Sequence, residues 1–333
     1  SRTAVRPVPP SNGDPMRELE PPPAWVPPGL PASLAQAQDD LDQTIAGTMP
    51  SLAPAWNRRT RALSPEGDRT AYFLHPEAFP TLLLPAWLAG TSAEDDVLEA
   101  ILRASLAGYW AIRLADQILD DASPEDCALV PVLALLHEQM WAPYREWFPA
   151  HDGFWSVAPR WWHGAADAAV AEAGQTDLDT LWALSAQKTA AAAIPLLAVH
   201  KRCGGATLPA DADALPPAWT ALRQDLSRFH QLHNDFTDWP RDRAAHRNNG
   251  VQRWADLEAG GKDTTYWWAD QGALTFATDH LLPILLRLQT GFQRLPAPQA
   301  LAWCQDRHAQ LTATTHQLRS SRDALRRLFP PSA

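Results

Sequence analysis

The chain has 333 residues, enough for one large helical domain or two ordinary ones, and its 46% hydrophobic content allows a deep pocket to be buried. A formal net charge of -10 excludes the basic stripe that a nucleic-acid backbone requires, although an anionic substrate stays within reach if metal ions supply positive charge. Cys127, Cys203 and Cys304 match neither a disulfide framework nor a metal spacing, which suits a reducing cytoplasm. The longest uncharged apolar stretch, Thr189 to Val199, is too short for a membrane span and is interrupted by Pro195.

Residues 1–32 are dense in proline, including Pro21 to Pro23 in a row, and read as an irregular N-terminal arm. From Ser33 the chain becomes rich in Ala and Leu, with too few β-branched residues to build strands. Residues 33–333 therefore read as a single all-α domain. Helices are predicted at about 33–48, 76–89, 93–122, 124–147, 158–173, 177–201, 216–246, 264–294 and 297–328. Ser33, Ser92, Ser123 and Thr176 are candidate capping residues, and Gly90, Gly204/Gly205 and Gly260/Gly261 are candidate stops.

Two of these helices carry unusual chemistry. In ILRASLAGYWAIRLADQILDD, residues 101–121, an apolar helical period runs up to Leu119 and acids arrive at the C-terminal end. Asp116 and Asp120 are one turn apart on one face, where like charges repel and oppose the helix dipole. A bound cation relieves both costs. Hard oxygen ligands at this spacing suit Mg²⁺, which takes one or two carboxylates and completes its shell with water and phosphate oxygens. Asp121 is turned about 100° from Asp120 and is read as an outer metal contact.

The second window, QLHNDFTDWPRD at residues 231–242, offers Asn234, Asp235 and Asp238, with Asn234 and Asp238 sharing a face and Asp235 on its flank. Pro240 predicts a kink or break near Phe236 to Trp239, which makes the position of Asp242 depend on that bend. If the two helices face each other across a cavity, their carboxylates form a rim for several Mg²⁺ ions that grip a diphosphate. His230 and His233, at i and i+3, are an alternative pair for a transition metal but lack a third ligand.

These windows resemble those of the class I isoprenoid synthase superfamily, which comprises trans-prenyl diphosphate synthases, terpene cyclases and squalene/phytoene synthases. ADQILDD is similar to its first aspartate-rich motif, closest in DxxxD form to the squalene/phytoene branch. QLHNDFTDWPRD is similar to the QxxDDxxDxxxD motif of prenyl diphosphate synthases, with Asn234 replacing the leading aspartate. It is also similar in its Asn-Asp opening to the second motif of terpene cyclases. Lys188-Thr189 resembles the Lys-Thr pair whose lysine contacts the allylic diphosphate, and a compact ammonium is apt for phosphate oxygens. The Gly-Gly-Lys-Arg segment and the Arg-Arg pair that hold isopentenyl diphosphate have no counterpart.

The resemblance implies a class I isoprenoid synthase-like helical bundle around a deep central cavity, in which 33–333 is the catalytic domain and three Mg²⁺ ions bind with the diphosphate. Asp116, Asp120, Asn234, Asp235 and Asp238 would carry the catalysis, with Asp121 and Asp242 as further metal contacts. Lys188, Arg241 and Arg247 would grip the diphosphate, with Arg319 and Arg322 as more distant candidates. Among the aromatic residues, which include sixteen tryptophans, Trp110 and Phe236 are the expected pocket walls. The substrate would be geranyl, farnesyl or geranylgeranyl diphosphate. The reaction would be ionisation followed by cyclisation or quenching; the alternative is prenyl transfer, by chain elongation or by squalene/phytoene-like condensation. A homodimer, a cytoplasmic location and no membrane span complete the expectation.

Overall fold

A computed structural model describes residues 22–64, 67–75, 78–89, 95–120, 123–172, 175, 177–204, 215–245 and 249–328, with Asp120, Gly204, Ala245 and Leu328 described in their backbone only. Every regular element among the described residues is helical. The long helices are α1 (Leu30–Thr48), α4 (Asp95–Asp120), α6 (Val130–Trp147), α7 (Phe154–Glu172), α10 (Pro217–Ala245) and α15 (Pro298–Leu328). Shorter ones are α2 (Ala53–Ala62), α3 (Leu83–Ala89), α5 (Pro124–Ala128), α8 (Leu178–Gln187), α9 (Ala193–Gly204), α11 (Gly250–Ala259) and α14 (Leu282–Gln293). The predicted helix over 264–294 is a continuous rod in which π turns at Trp268–Gly272 and Ala277–Leu281 alternate with α12 (Thr264–Trp267) and α13 (Ala273–Phe276) before α14. No described helix is long and apolar enough to cross a membrane.

The irregular arm ends earlier than its composition suggests. Trp25 and Val26 are buried, and the Trp87 indole N–H donates to the Trp25 carbonyl at 2.9 Å. α1 starts at Leu30 behind Gly29, whose φ of 81° suits a residue without a side chain, and not at Ser33. Ser123 does cap α5, accepting from the Asp126 N–H. Gly260 stops α11 in the left-handed region. Ser92, Thr176, Gly90 and Gly205 lie outside the described residues; α8 is capped by Asp177, which accepts from the Thr180 N–H.

Three departures shape the site. The predicted helix 177–201 is broken: α8 ends at Gln187, Ala190–Ala192 form a 3-10 turn, and α9 follows. Pro195 denies the Ala191 carbonyl its helical partner, and the Thr189 hydroxyl turns back onto the Ala186 carbonyl at 3.1 Å. α10, by contrast, runs unbroken through Pro240. Trp239, beside the proline, stacks on Trp268 at 5.1 Å and 6°, and the Asn249 amide donates to the Asp235 carbonyl at 2.9 Å, supplying a donor next to the carbonyl that Pro240 leaves unpaired. α2 and α11 are absent from the predicted elements, although Pro54 near the start of α2 and the Asn249 cap of α11 are start signals.

Packing follows from the apolar faces. α4 lies between α1 and α6, α10 packs on α8, α11 and α14, and α14 is covered by α15. α7 packs on α8 and α9, and α9 also meets α3 and α4. Arg59 of α2 pairs with the buried Asp126 of α5 and also donates to Gln117 of α4, fixing the C-terminal turn of α4.

Candidate functional site

A cavity of about 290 Å³ opens between α4, α6, α10 and the broken junction of α8 and α9. Three polar residues from three separate sequence windows line it: Asp116 from α4, Lys188 from the end of α8 and Asn234 from α10. The break after Gln187 is what delivers Lys188. It leaves this residue as the C-cap of α8, where a cation also complements the helix dipole, and turns Thr189, Ala191, Ala192 and Ile194 onto the wall.

The α4 wall is built at helical spacing: Gly108, Tyr109, Ile112, Arg113 and Asp116 all line the cavity. Arg113 was not anticipated from sequence, although its position three residues before Asp116 puts it on the same face; the two approach to 3.5 Å. Tyr109 packs at 5.6 Å from Tyr72, which lies in the 3-10 turn Ala71–Leu74. Burial raises both phenols above their ordinary value, so both are neutral donors at the wall. Tyr144 and Trp162 complete an aromatic inner lining with Phe79. Gly108 makes room there, since a Cβ at this position would stand 2.8 Å from Met140 Sδ.

On the α10 wall, the Asn234 amide donates to His230 Nε2 at 3.1 Å, and His230 also lines the cavity. Enclosure pushes the imidazole down to about 4, with the Arg307 and Lys188 charges adding to it, so His230 is neutral near pH 7. His233 points the other way, accepting from Arg307 at 3.0 Å, and is pushed down to about 3. The two histidines face different partners and do not form a metal pair.

The remaining acids of the second window are turned from the cavity. Asp235 is 9% exposed; one carboxylate oxygen accepts from the Gly250 N–H at 2.9 Å and the other from Gln231 at 3.0 Å. Burial raises this carboxyl to about 6 despite those bonds. Asp242, also 9% exposed, accepts from the Asn249 amide at 3.0 Å. Together they clasp α10 to the start of α11. Asp238 is half-exposed and paired with Arg241 at 2.7 Å, and Arg241 points to solvent, not into the cavity.

The expected aromatic walls also lie elsewhere. Trp110 is 2% exposed, donates to Gln38 at 2.8 Å and packs edge-on to Trp56, because it projects from α4 towards α1 and α2. Phe236 stacks on Phe276 at 6.0 Å behind α10. Arg322 pairs with Asp323 on the surface and does not reach the cavity. Arg247 and Asp121 lie outside the described residues, as does the side chain of Asp120.

Among the described residues, no three His, Cys, Asp or Glu side chains form a group that could hold a metal ion unaided. Asp116 and Asn234 instead supply hard oxygen donors on two walls of one cavity with two cations nearby. This donor set fits a Mg²⁺ ion that shares its shell with water and a bound phosphate. Comparison with family models, with curated proteins and with solved structures returns no match for this chain.

Proposed function

We propose that this chain is a terpene synthase with a class I isoprenoid synthase-like bundle, which ionises an allylic prenyl diphosphate with Mg²⁺ and lets the carbocation cyclise or be quenched. The observation that carries the reading is the convergence of Asp116, Lys188 and Asn234 on one aromatic-lined cavity from windows far apart in the chain. Asp116 and Asn234, with Asp120 one turn beyond Asp116, would hold the metal, which when bound supplies positive charge for the departing diphosphate. Lys188 and Arg113 add cations and N–H donors for the phosphate oxygens. The allylic C–O bond breaks with its electron pair leaving on the diphosphate. The apolar wall excludes water from the cation, and the ring faces of Tyr72, Tyr109 and Phe79 each contribute about 0.5 to 2 kcal/mol of cation-π stabilisation.

Prenyl transfer is the less supported reading, because Lys188 and Arg113 are the only lysine or arginine residues at the cavity among the described residues, and a second diphosphate would need its own grip. The purified chain with Mg²⁺ and geranyl, farnesyl or geranylgeranyl diphosphate, each alone, should release hydrocarbons or alcohols detectable by gas chromatography with mass detection. Turnover that required a second prenyl substrate would move the assignment to a prenyltransferase. No turnover with any of the three, alone or in pairs, would overturn it.

A further inference from the structure

Lys188 does not stand alone at the cavity wall. Its ammonium is ion-paired with one carboxylate oxygen of Glu172, whose other oxygen accepts from the Ser185 hydroxyl. Glu172 is the last residue of α7, while Ser185 and Lys188 sit at the end of α8, so the contact joins two helix ends just outside the cavity. The pair is mostly covered, at 26% exposure for Lys188 and 19% for Glu172, and so is weakly screened by salt. Lys188 lines the cavity and Glu172 is not among its lining residues, so the ammonium is the nearer of the two charges to an anion bound there. An ammonium has three N–H donors; Glu172 engages one and leaves others for an incoming anion.

From this arrangement we infer that Glu172 is a positioning residue and built-in counter-ion for Lys188, weakening its hold on a diphosphate so that the leaving group departs after ionisation. The inference rests on the proposed function, because it takes the ligand of Lys188 to be a diphosphate. The negative charge paired with the ammonium repels an anion held in the cavity, at a distance only a few ångströms greater than that over which the ammonium attracts it. Replacing the carboxylate by an amide keeps the acceptor that orients Lys188 and removes the repulsion. No sequence window singled out Glu172.

The test is calorimetric titration with inorganic pyrophosphate in excess Mg²⁺. Glu172→Gln should bind pyrophosphate about tenfold more tightly than the wild type. Ser185→Ala, which removes one anchor of Glu172 and keeps its charge free to swing from Lys188, should shift binding the same way by about two- to threefold, giving a second reading if the first variant folds poorly. Glu172→Asp should stay near wild type. Lys188→Gln should weaken binding and make Glu172→Gln silent in the double variant. In steady state, Glu172→Gln should lower KM and kcat together and deepen inhibition by pyrophosphate, a split that loss of structure alone would not produce. Unchanged or weaker binding in Glu172→Gln, with Lys188→Gln still weakened, overturns the counter-ion role and leaves the proposed function standing. Wild-type binding in Lys188→Gln, or no binding by the wild type, overturns both.

Discussion

Asp235→Asn separates the two roles open to the second acid of the NDFTD window. The carboxyl is 9% exposed and raised from 3.8 to about 6, first by desolvation and against the hydrogen bonds from Gly250 and Gln231. That difference corresponds to about 3 kcal/mol by which ionised Asp235 folds less favourably than its protonated form. The folded pKa lies above the unfolded one, so the native chain holds a proton that the unfolded chain gives up between pH 3.8 and 6. The contribution of this group to stability is fullest below 3.8, falls as pH rises through 6 and is flat above. An asparagine stands in for the neutral carboxyl. Urea unfolding followed by tryptophan fluorescence, with chelator present, should give the two chains similar stability near pH 4. By pH 8 Asp235→Asn should be the more stable by up to about 3 kcal/mol. Turnover should survive within about tenfold, since Asp235 clasps α11 and does not face the cavity. A variant less stable than wild type at pH 8, or a gap that does not change with pH, would refute the clasp; a loss of turnover equal to that of Asp116→Ala would make Asp235 a metal ligand.

Further outcomes follow from other parts of the fold. His233 is held neutral down to about 3; the unfolded chain protonates first, so acidification from 6.5 to 4 should remove about 3 kcal/mol of stability, and His233→Gln should flatten that loss in urea midpoints. Gly272→Ala places a Cβ 2.4 Å from the Trp267 ring, which cannot yield, and should cost about 1 to 3 kcal/mol, whereas Gly47→Ala meets open space inside α1 and should gain about 0.5 kcal/mol. Asp116→Ala, Asn234→Ala and removal of Mg²⁺ by chelation should each reduce prenyl diphosphate turnover by at least about 100-fold without unfolding the chain, as checked by circular dichroism.

The all-helical class was legible because Ala and Leu periods leave no room for strands, and most long helices fell within a few residues of their predicted spans. The polar end of the site was partly legible: an acid on an apolar helix end, an Asn-led acidic string and a lysine before an alanine run do share a cavity. What spacing alone did not settle was which face of α10 turns inward. At 100° per residue, Asp235 and Asp242 fall on the side that meets Asn249 and Gly250 at the start of α11, a helix absent from the predicted elements. Trp110 and Phe236 were drawn to the core for the same reason, since their neighbours on the helix face other helices. Glu172, Tyr72 and Arg307 reach the site or its supports from distant elements and carry no local signature. Pro240 suggested a kink or a break; α10 is not broken there, with Trp239 stacked on Trp268 beside the proline.

Gly108 and Asp116 sit on one uninterrupted helix, about 12 Å apart along its axis. If the cavity takes a prenyl diphosphate as proposed, the depth for its hydrocarbon tail beneath the charged head is measured out by backbone hydrogen bonds, with no loop between the two positions to take up slack. Inserting a single residue between them would lengthen the ruler by only about 1.5 Å but swing the carboxylate about 100° around the rod, out of the cavity. Capacity in such a wall can change gradually through side-chain size at Gly108 or Ile112, while a change in length disconnects the head from the tail at once.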